Sequence, residues 1–199
     1  MTLPWRADAR LEPYTAMVLR PTRTRQLANL VVFQSAWFAA VLGAAHQAPL
    51  LGTACVIAAI AWHVGISERP WEELKLVAAA CAIGLVVETF IALQGNVSYP
   101  SGQPDTRFAP YWMVAMWGLL AIALNVTLRW LRRRWWLTAI IAAVAGPASF
   151  ASGVRLGGAA FIHTTPALVT LACIWALAMP ALIRLSMRFD GVAPGVRRA

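Results

Sequence analysis

Charged side chains are scarce in this sequence. Asp, Glu, Lys and Arg make up 13% of the 199 residues and hydrophobic residues make up 60%, whereas a typical soluble domain is about 25% charged. A chain of this length cannot hide so much apolar surface in one core. The composition therefore excludes an ordinary soluble domain and predicts that lipid covers much of the surface.

Cysteine is also rare, and the usual motifs of enzyme sites are absent. Cys55, Cys81 and Cys173 each lie in an apolar stretch without CxxC spacing, which indicates core residues rather than ligands of haem or an iron–sulfur cluster. The sequence has no GxSxG, HExxH, P-loop or dinucleotide-binding motif. We therefore expect no metal and no cofactor, and leave open whether the protein is an enzyme.

Six long apolar stretches run through the chain, and each can cross a hydrocarbon layer of about 30 Å. They predict an all-α, polytopic membrane protein built as a six-helix bundle. Residues 1–26 form an Arg-rich arm without a recognisable signal peptide, so the first span is expected to be an uncleaved anchor, and residues 186–199 form a short tail. The predicted transmembrane domain, 27–185, has spans at 27–43, 48–66, 74–94, 110–128, 137–153 and 166–185.

The positions of the basic residues predict which way the spans run. With the N-terminus in the cytoplasm, all of the 17 Lys and Arg residues except Arg107 and Arg155 fall on the cytoplasmic side. An excess of Lys and Arg in cytoplasmic loops is the main orientation signal in membrane proteins. We therefore expect both termini to be cytoplasmic. The dispersal of these residues at helix ends favours contact with anionic lipid headgroups over nucleic-acid binding.

Glu88 is the one carboxylate deep within a predicted span. It lies roughly 21 Å along its helix from Leu74, in the outer half of the membrane, where a lone charge must be protonated, paired or hydrated. Arg155 is the expected partner, and His46 and His163 are further candidates on the same side. Two interpretations stay open for this cluster: a structural ion pair, and a site for a substrate headgroup or a proton.

A second set of polar side chains is predicted in the cytoplasmic half of the membrane. Hydrogen bonds between such side chains hold neighbouring membrane helices together, and we expect that role here. The histidine of the set has no HxxxH or ExxH pairing and so does not indicate a metal site. The set consists of Asn29, Gln34, His63, Asn125 and Thr127.

Two apolar features indicate either core packing or a ligand cavity. Gly146-Pro147 is expected to interrupt the fifth helix, and the small residues Ser149 and Gly153 follow on the same face, as a packing kink or as the wall of a cavity. Aromatic and methionine side chains on the first and fourth spans have two interpretations. They are core or interfacial residues, or they line an apolar groove. They are Phe33, Trp37, Trp112, Met113, Met116 and Trp117.

Two connections carry features of their own. Residues 95–109 are rich in Gly, Pro, Ser and Asn and are expected to be irregular. Residues 129–136 alternate cations with indoles, which is typical of an anchor at an anionic membrane surface. A docking patch for a partner protein is the alternative for that run.

The chain carries a set of ordered motifs. They are the run from Asn29 through Gln34, Trp37 and Phe38 to Ala44, then Pro110-x-Trp112-Met113 with Trp117, Asn125-x-x-Leu128, Gly146-Pro147-x-Ser149 with Gly153, and Leu156-Gly157, together with Glu88. These motifs resemble a family of small bacterial inner-membrane proteins that is known only as a domain of unknown function. The resemblance covers about residues 27–185, and it implies a multi-span protein of the bacterial inner membrane. Members of that family accompany enzymes that modify membrane acyl chains, which implies a lipid-related role.

Three functions are compatible with these features. The first is a lipid-associated accessory or binding protein that works with lipid-modifying enzymes, with membrane lipids and a membrane protein as partners. The second is a membrane-embedded enzyme or small transporter using Glu88 and Arg155, which needs a polar, hydrated pocket. The third is a structural subunit of a larger complex, which needs no pocket. An apolar groove open to lipid would favour the first.

Overall fold

The computed structural model describes residues 21–192 and has six α-helices within them. Residues 1–20 of the predicted arm and 193–199 of the predicted tail lie outside the described residues. Each predicted span coincides with one helix to within about one turn, and the prediction of an all-α bundle is confirmed. The helices are α1 (Arg23–Ala45), α2 (Pro49–Gly65), α3 (Pro70–Leu93), α4 (Tyr111–Leu124), α5 (Trp135–Arg155) and α6 (Thr164–Arg188).

Four of the helices, α1, α3, α5 and α6, are long and apolar enough to cross a membrane, which indicates a membrane-embedded protein. α2 has 17 residues and α4 has 14, so both are shorter than the roughly 20 residues that a span requires. Proline begins α2 and α3 and directly precedes α4, where its missing N–H costs no helical hydrogen bond. These prolines mark the N-terminal ends of α2, α3 and α4.

α4 is the central helix of the bundle. It packs against α1, α2, α3 and α6, and it is apolar on all sides, as expected for a helix that other helices surround. Within the described residues, α5 packs closely only against α6 and against a 3₁₀ helix (Arg129–Arg133) that follows α4. α5 therefore has few close backbone contacts with α1 and α4, and it meets them mainly through side chains such as Phe150.

The middle of the bundle contains two stacked indoles held between two glycines. The rings of Trp117 on α4 and Trp175 on α6 are parallel to within 11°, with centroids 5.2 Å apart. A Cβ at Gly84 would lie 2.3 Å from Cγ of Trp117, and one at Gly146 would lie 2.2 Å from Cγ of Trp175. The missing side chains of these glycines thus make room for the rings. α5 continues through Pro147, so the expected interruption of the fifth helix is wrong. Gly146 instead allows the Trp175 ring to pack against α5.

The connection between α3 and α4, residues 95–109, forms an ordered cap over one end of the bundle. Its strand β1 (Val97–Ser98) pairs antiparallel with β2 (Ala160–Phe161) in the α5–α6 connection. The hydroxyl of Ser101 donates to the carbonyl of Ala44 over 2.8 Å, and the indole of Trp112 donates to the carbonyl of Ser101 over 3.1 Å. The cap is therefore tied to α1, to α4 and to the α5–α6 connection, and apart from β1 its backbone is irregular, as its composition predicted.

Gly84→Ala is expected to lower the free energy of unfolding by about 1–3 kcal/mol, because the added methyl group overpacks the Trp117 ring. Gly65→Ala is the matched control, since nothing lies within 4 Å of a Cβ added there, and its effect should stay within about 0.5 kcal/mol. Thermal unfolding in a mild detergent, followed by circular dichroism, measures both. Equal stability of the two variants would contradict the proposed fit.

Candidate functional site

An apolar cavity of about 280 Å³ lies between α5 on one side and α1 and α4 on the other. Its lining on α5 runs from Thr138 to Gly153 along one face, a distance of roughly 22 Å at 1.5 Å per residue. Both apolar features from the sequence meet here. The cavity is lined by Phe33, Trp37, Trp112, Met113, Met116 and Trp117 on one side and by Gly146, Ser149 and Gly153 on the other.

Glu88 supplies the one carboxylate in this lining. Only 2% of the residue is exposed, and its carboxylate accepts two hydrogen bonds. Nε1 of Trp117 lies 3.0 Å from Oε1, and the hydroxyl of Tyr99 lies 3.1 Å from Oε2. The indole stack therefore positions one donor and the cap positions the other.

The expected cluster of Glu88 with Arg155 and His46 does not form, so that hypothesis is wrong. Among the described residues, no ion pair joins Arg155 to Glu88, and Arg155 is exposed at the end of α5. The reason is that α5 packs against α6 and not against α3. His46 contacts the carbonyl of Leu42 in its own helix over 2.9 Å, and His163 precedes α6 without a side-chain cap bond.

Tyr99 joins the cap to the cavity. Its ring meets Trp112 and Phe150 edge to face, at centroid distances of 6.2 and 6.4 Å. Burial raises the pKa of the Tyr99 hydroxyl well above its usual value, and the Glu88 carboxylate raises it further. The hydroxyl therefore keeps its proton and donates a hydrogen bond to Glu88. Tyr99 also lines a separate cleft at the surface, beside Gly157 and Thr164.

A second polar site lies at the opposite end of the bundle, around the fully buried carboxylate of Glu73. Oε2 is 2.9 Å from Nε2 of His63. Oε1 accepts from Nδ2 of Asn125 over 2.6 Å and from the backbone N–H of Gly191 over 2.8 Å. We call these four residues the Glu73 network; it joins α2, α3, the end of α4 and the segment after α6.

Asp190 extends the Glu73 network to the 3₁₀ helix. Its Oδ2 lies 2.7 Å from Nη2 of Arg129 and 2.8 Å from Nη1 of Arg132. Arg132 also donates to the side-chain oxygen of Asn125. Burial lowers the pKa of the Arg132 guanidinium, and the contact with Asp190 opposes that shift. The described end of the chain is thereby fixed to the start of α3 and to the turn before α5.

The predicted cytoplasmic polar set thus divides into separate parts. His63 and Asn125 meet through Glu73, while Asn29 accepts from the Thr127 hydroxyl over 2.7 Å and donates to the Ile122 carbonyl over 3.1 Å. Gln34 is exposed on α1 and joins neither group.

Sequence reasoning missed Glu73, Arg129, Arg132 and Asp190 as members of the site. The short connection between α2 and α3 places the last turn of one helix opposite the first turn of the next. That hairpin geometry was the available signal for the His63–Glu73 contact.

Glu73→Gln is expected to destabilise the protein by about 3–5 kcal/mol, because an amide cannot accept from three donors and leaves buried groups unpaired. The adjacent Glu72→Gln is the control: Glu72 binds Lys75 in a partly exposed pair, which is worth at most about 1 kcal/mol. Chemical or thermal unfolding in detergent measures the difference. Similar losses from both substitutions would show that the Glu73 network does not stabilise the fold.

No curated protein and no solved structure matches this chain. A family model described as a protein of unknown function (DUF2878) matches residues 26–181, which include α2 to α5 and most of α1 and α6. This match covers most of the chain and confirms the resemblance seen in the motifs. The protein therefore belongs to this family of unknown function.

Proposed function

We propose that this membrane protein binds one lipid acyl chain in the cavity beside α5, as an accessory to enzymes that modify membrane lipids. The observation that carries the proposal is the lining, in which aromatic, methionine and small side chains surround a space about 22 Å long. One leaflet of a hydrocarbon layer is about 15 Å deep. An extended alkyl chain of about that length fits within this space and matches its polarity.

Access from the side supports the same proposal. Ala145 and Ser149 both line the cavity and are exposed on the surface of α5. Since α5 has few close backbone contacts with α1 and α4, a chain can enter laterally between these helices without unfolding any of them. The small side chains along that face of α5 leave the entrance wide.

The other functions fit the cavity less well. A structural subunit needs tight packing and no cavity of this size. An enzyme or transporter acting at Glu88 and Arg155 needs a hydrated pocket that holds both groups, whereas this lining is largely apolar and lacks Arg155. Lipid binding uses the features that the cavity has.

Ala145→Phe is expected to fill the cavity entrance and to reduce the amount of co-purified lipid about tenfold, equivalent to about 1.4 kcal/mol. Ala148→Phe is the matched control, because Ala148 is an equally exposed alanine of α5 that does not line the cavity. Native mass spectrometry of the protein purified in mild detergent counts bound lipids. Unchanged lipid binding by Ala145→Phe would contradict the proposal.

We also propose that the protein lies in a bacterial inner membrane with six embedded helices and both termini in the cytoplasm. The distribution of Lys and Arg supports this orientation. The two shorter helices are compatible with it because α2 and α4 pack within the bundle, with the cap and the 3₁₀ helix extending the connections at the ends of α4.

Cysteine labelling tests the orientation. Thr106 in the cap and Arg133 in the 3₁₀ helix are both exposed. Each is replaced by cysteine, one at a time, in a variant that lacks Cys55, Cys81 and Cys173. In spheroplasts, a membrane-impermeant maleimide should label the cap cysteine and should reach position 133 only after lysis. The reverse pattern would invert the topology.

A further inference from the structure

The Glu88 carboxylate lacks a cationic partner among residues 21–192. Both of its hydrogen-bond donors, Trp117 and Tyr99, are neutral. The cavity lining contains no Lys, Arg or His. A carboxylate buried in this way is costly unless a positive charge or a proton accompanies it.

An occupant of the cavity can reach this carboxylate. An ionised carboxylate offers about four acceptor sites, and Trp117 and Tyr99 use two of them. Glu88 itself forms part of the lining, so an occupant of the cavity lies next to this residue. Binding to the carboxylate requires that the head group of the occupant use one of the remaining acceptor sites.

Aromatic rings surround the same position. Trp112 and Phe150 line the cavity beside the Trp117–Trp175 stack, and the Tyr99 ring packs against both of them. The faces of aromatic rings carry partial negative charge and attract cations, with an energy that rises to about 2 kcal/mol when water is excluded. Rings and carboxylate therefore favour the same sign of charge in an occupant.

We propose that the cavity binds a long-chain ammonium amphiphile, with its cationic head at Glu88 and its alkyl chain along α5. The inference rests on the proposed function and narrows it to one class of ligand. A phosphate headgroup at this depth would face the Glu88 carboxylate without any basic side chain in the lining. A neutral alcohol would leave the carboxylate without a counter-charge.

Binding of three amphiphiles with the same chain tests the proposal: dodecylamine, dodecanol and dodecanoate. The full-length protein in lipid nanodiscs is titrated with each compound, and quenching of tryptophan fluorescence gives the dissociation constant. We expect dodecylamine to bind at least about tenfold more tightly than dodecanol, and dodecanoate to bind more weakly than both. Equal binding of the amine and the alcohol would overturn the assignment of an ammonium ligand.

Glu88→Gln supplies the second arm, since the amide keeps the shape of the side chain and removes its charge. The preference for dodecylamine over dodecanol should fall to about twofold or less. Glu68→Gln, at an exposed position between α2 and α3, should keep the wild-type preference. A preference that survives Glu88→Gln would show that another group selects the amine. If Glu88→Gln does not fold, the ratio of the dodecanol and dodecylamine dissociation constants of the wild-type protein alone decides whether the ligand is an ammonium compound.

The failures of the two proposals are distinguishable. If no dodecyl compound binds and no lipid co-purifies, the cavity does not take alkyl chains and the proposed function fails. If dodecanol and dodecylamine bind equally and Ala145→Phe weakens both, chain binding stands and only the ammonium assignment is lost.

Discussion

The rest of the structure depends on the hydrogen bonds that surround the buried carboxylate of Glu73. A carboxylate away from water is stable only when donors surround it, and Glu73 takes donors from α2, from the end of α4 and from the segment after α6. These elements are distant in the sequence, so their meeting at one residue fixes how α2, α3, α4 and α6 are arranged. α5 contributes no side chain to this carboxylate and is held by α6 and the 3₁₀ helix.

The cavity follows from that arrangement. Because α4 is already surrounded by α1, α2, α3 and α6, α5 contacts the bundle from outside, mainly through α6. Gly146 lets Trp175 reach Trp117, and the stack brings an indole N–H to Glu88. The same packing therefore forms the apolar space and places a polar group inside it. In this protein the stability of one end of the bundle and the cavity in its middle have a common origin.

The helices could be predicted from the sequence because apolar stretches and N-terminal prolines are local signals. The cavity lining was accessible too, since Trp112 with Met116, and Met113 with Trp117, share helix faces by their spacing. Partners of the buried carboxylates were not accessible in this way. Tyr99 reaches Glu88 through a cap whose order depends on pairing with β2, and Gly191 lies 118 residues from Glu73. Charge alone favoured Arg155, but the packing of α5 decides which groups meet Glu88.

The shortness of α4 has an electrical consequence. Its 14 residues span about 21 Å, less than the hydrocarbon thickness of about 30 Å, and irregular backbone with polar groups continues the chain at both of its ends. In the proposed orientation, a transmembrane voltage falls mainly across the apolar middle of α4 and over a shorter distance than in the surrounding lipid. Glu88 bonds to Trp117 in that middle. A charge bound beside Glu88 would therefore lie within a concentrated part of the field, and its occupancy would depend on membrane potential.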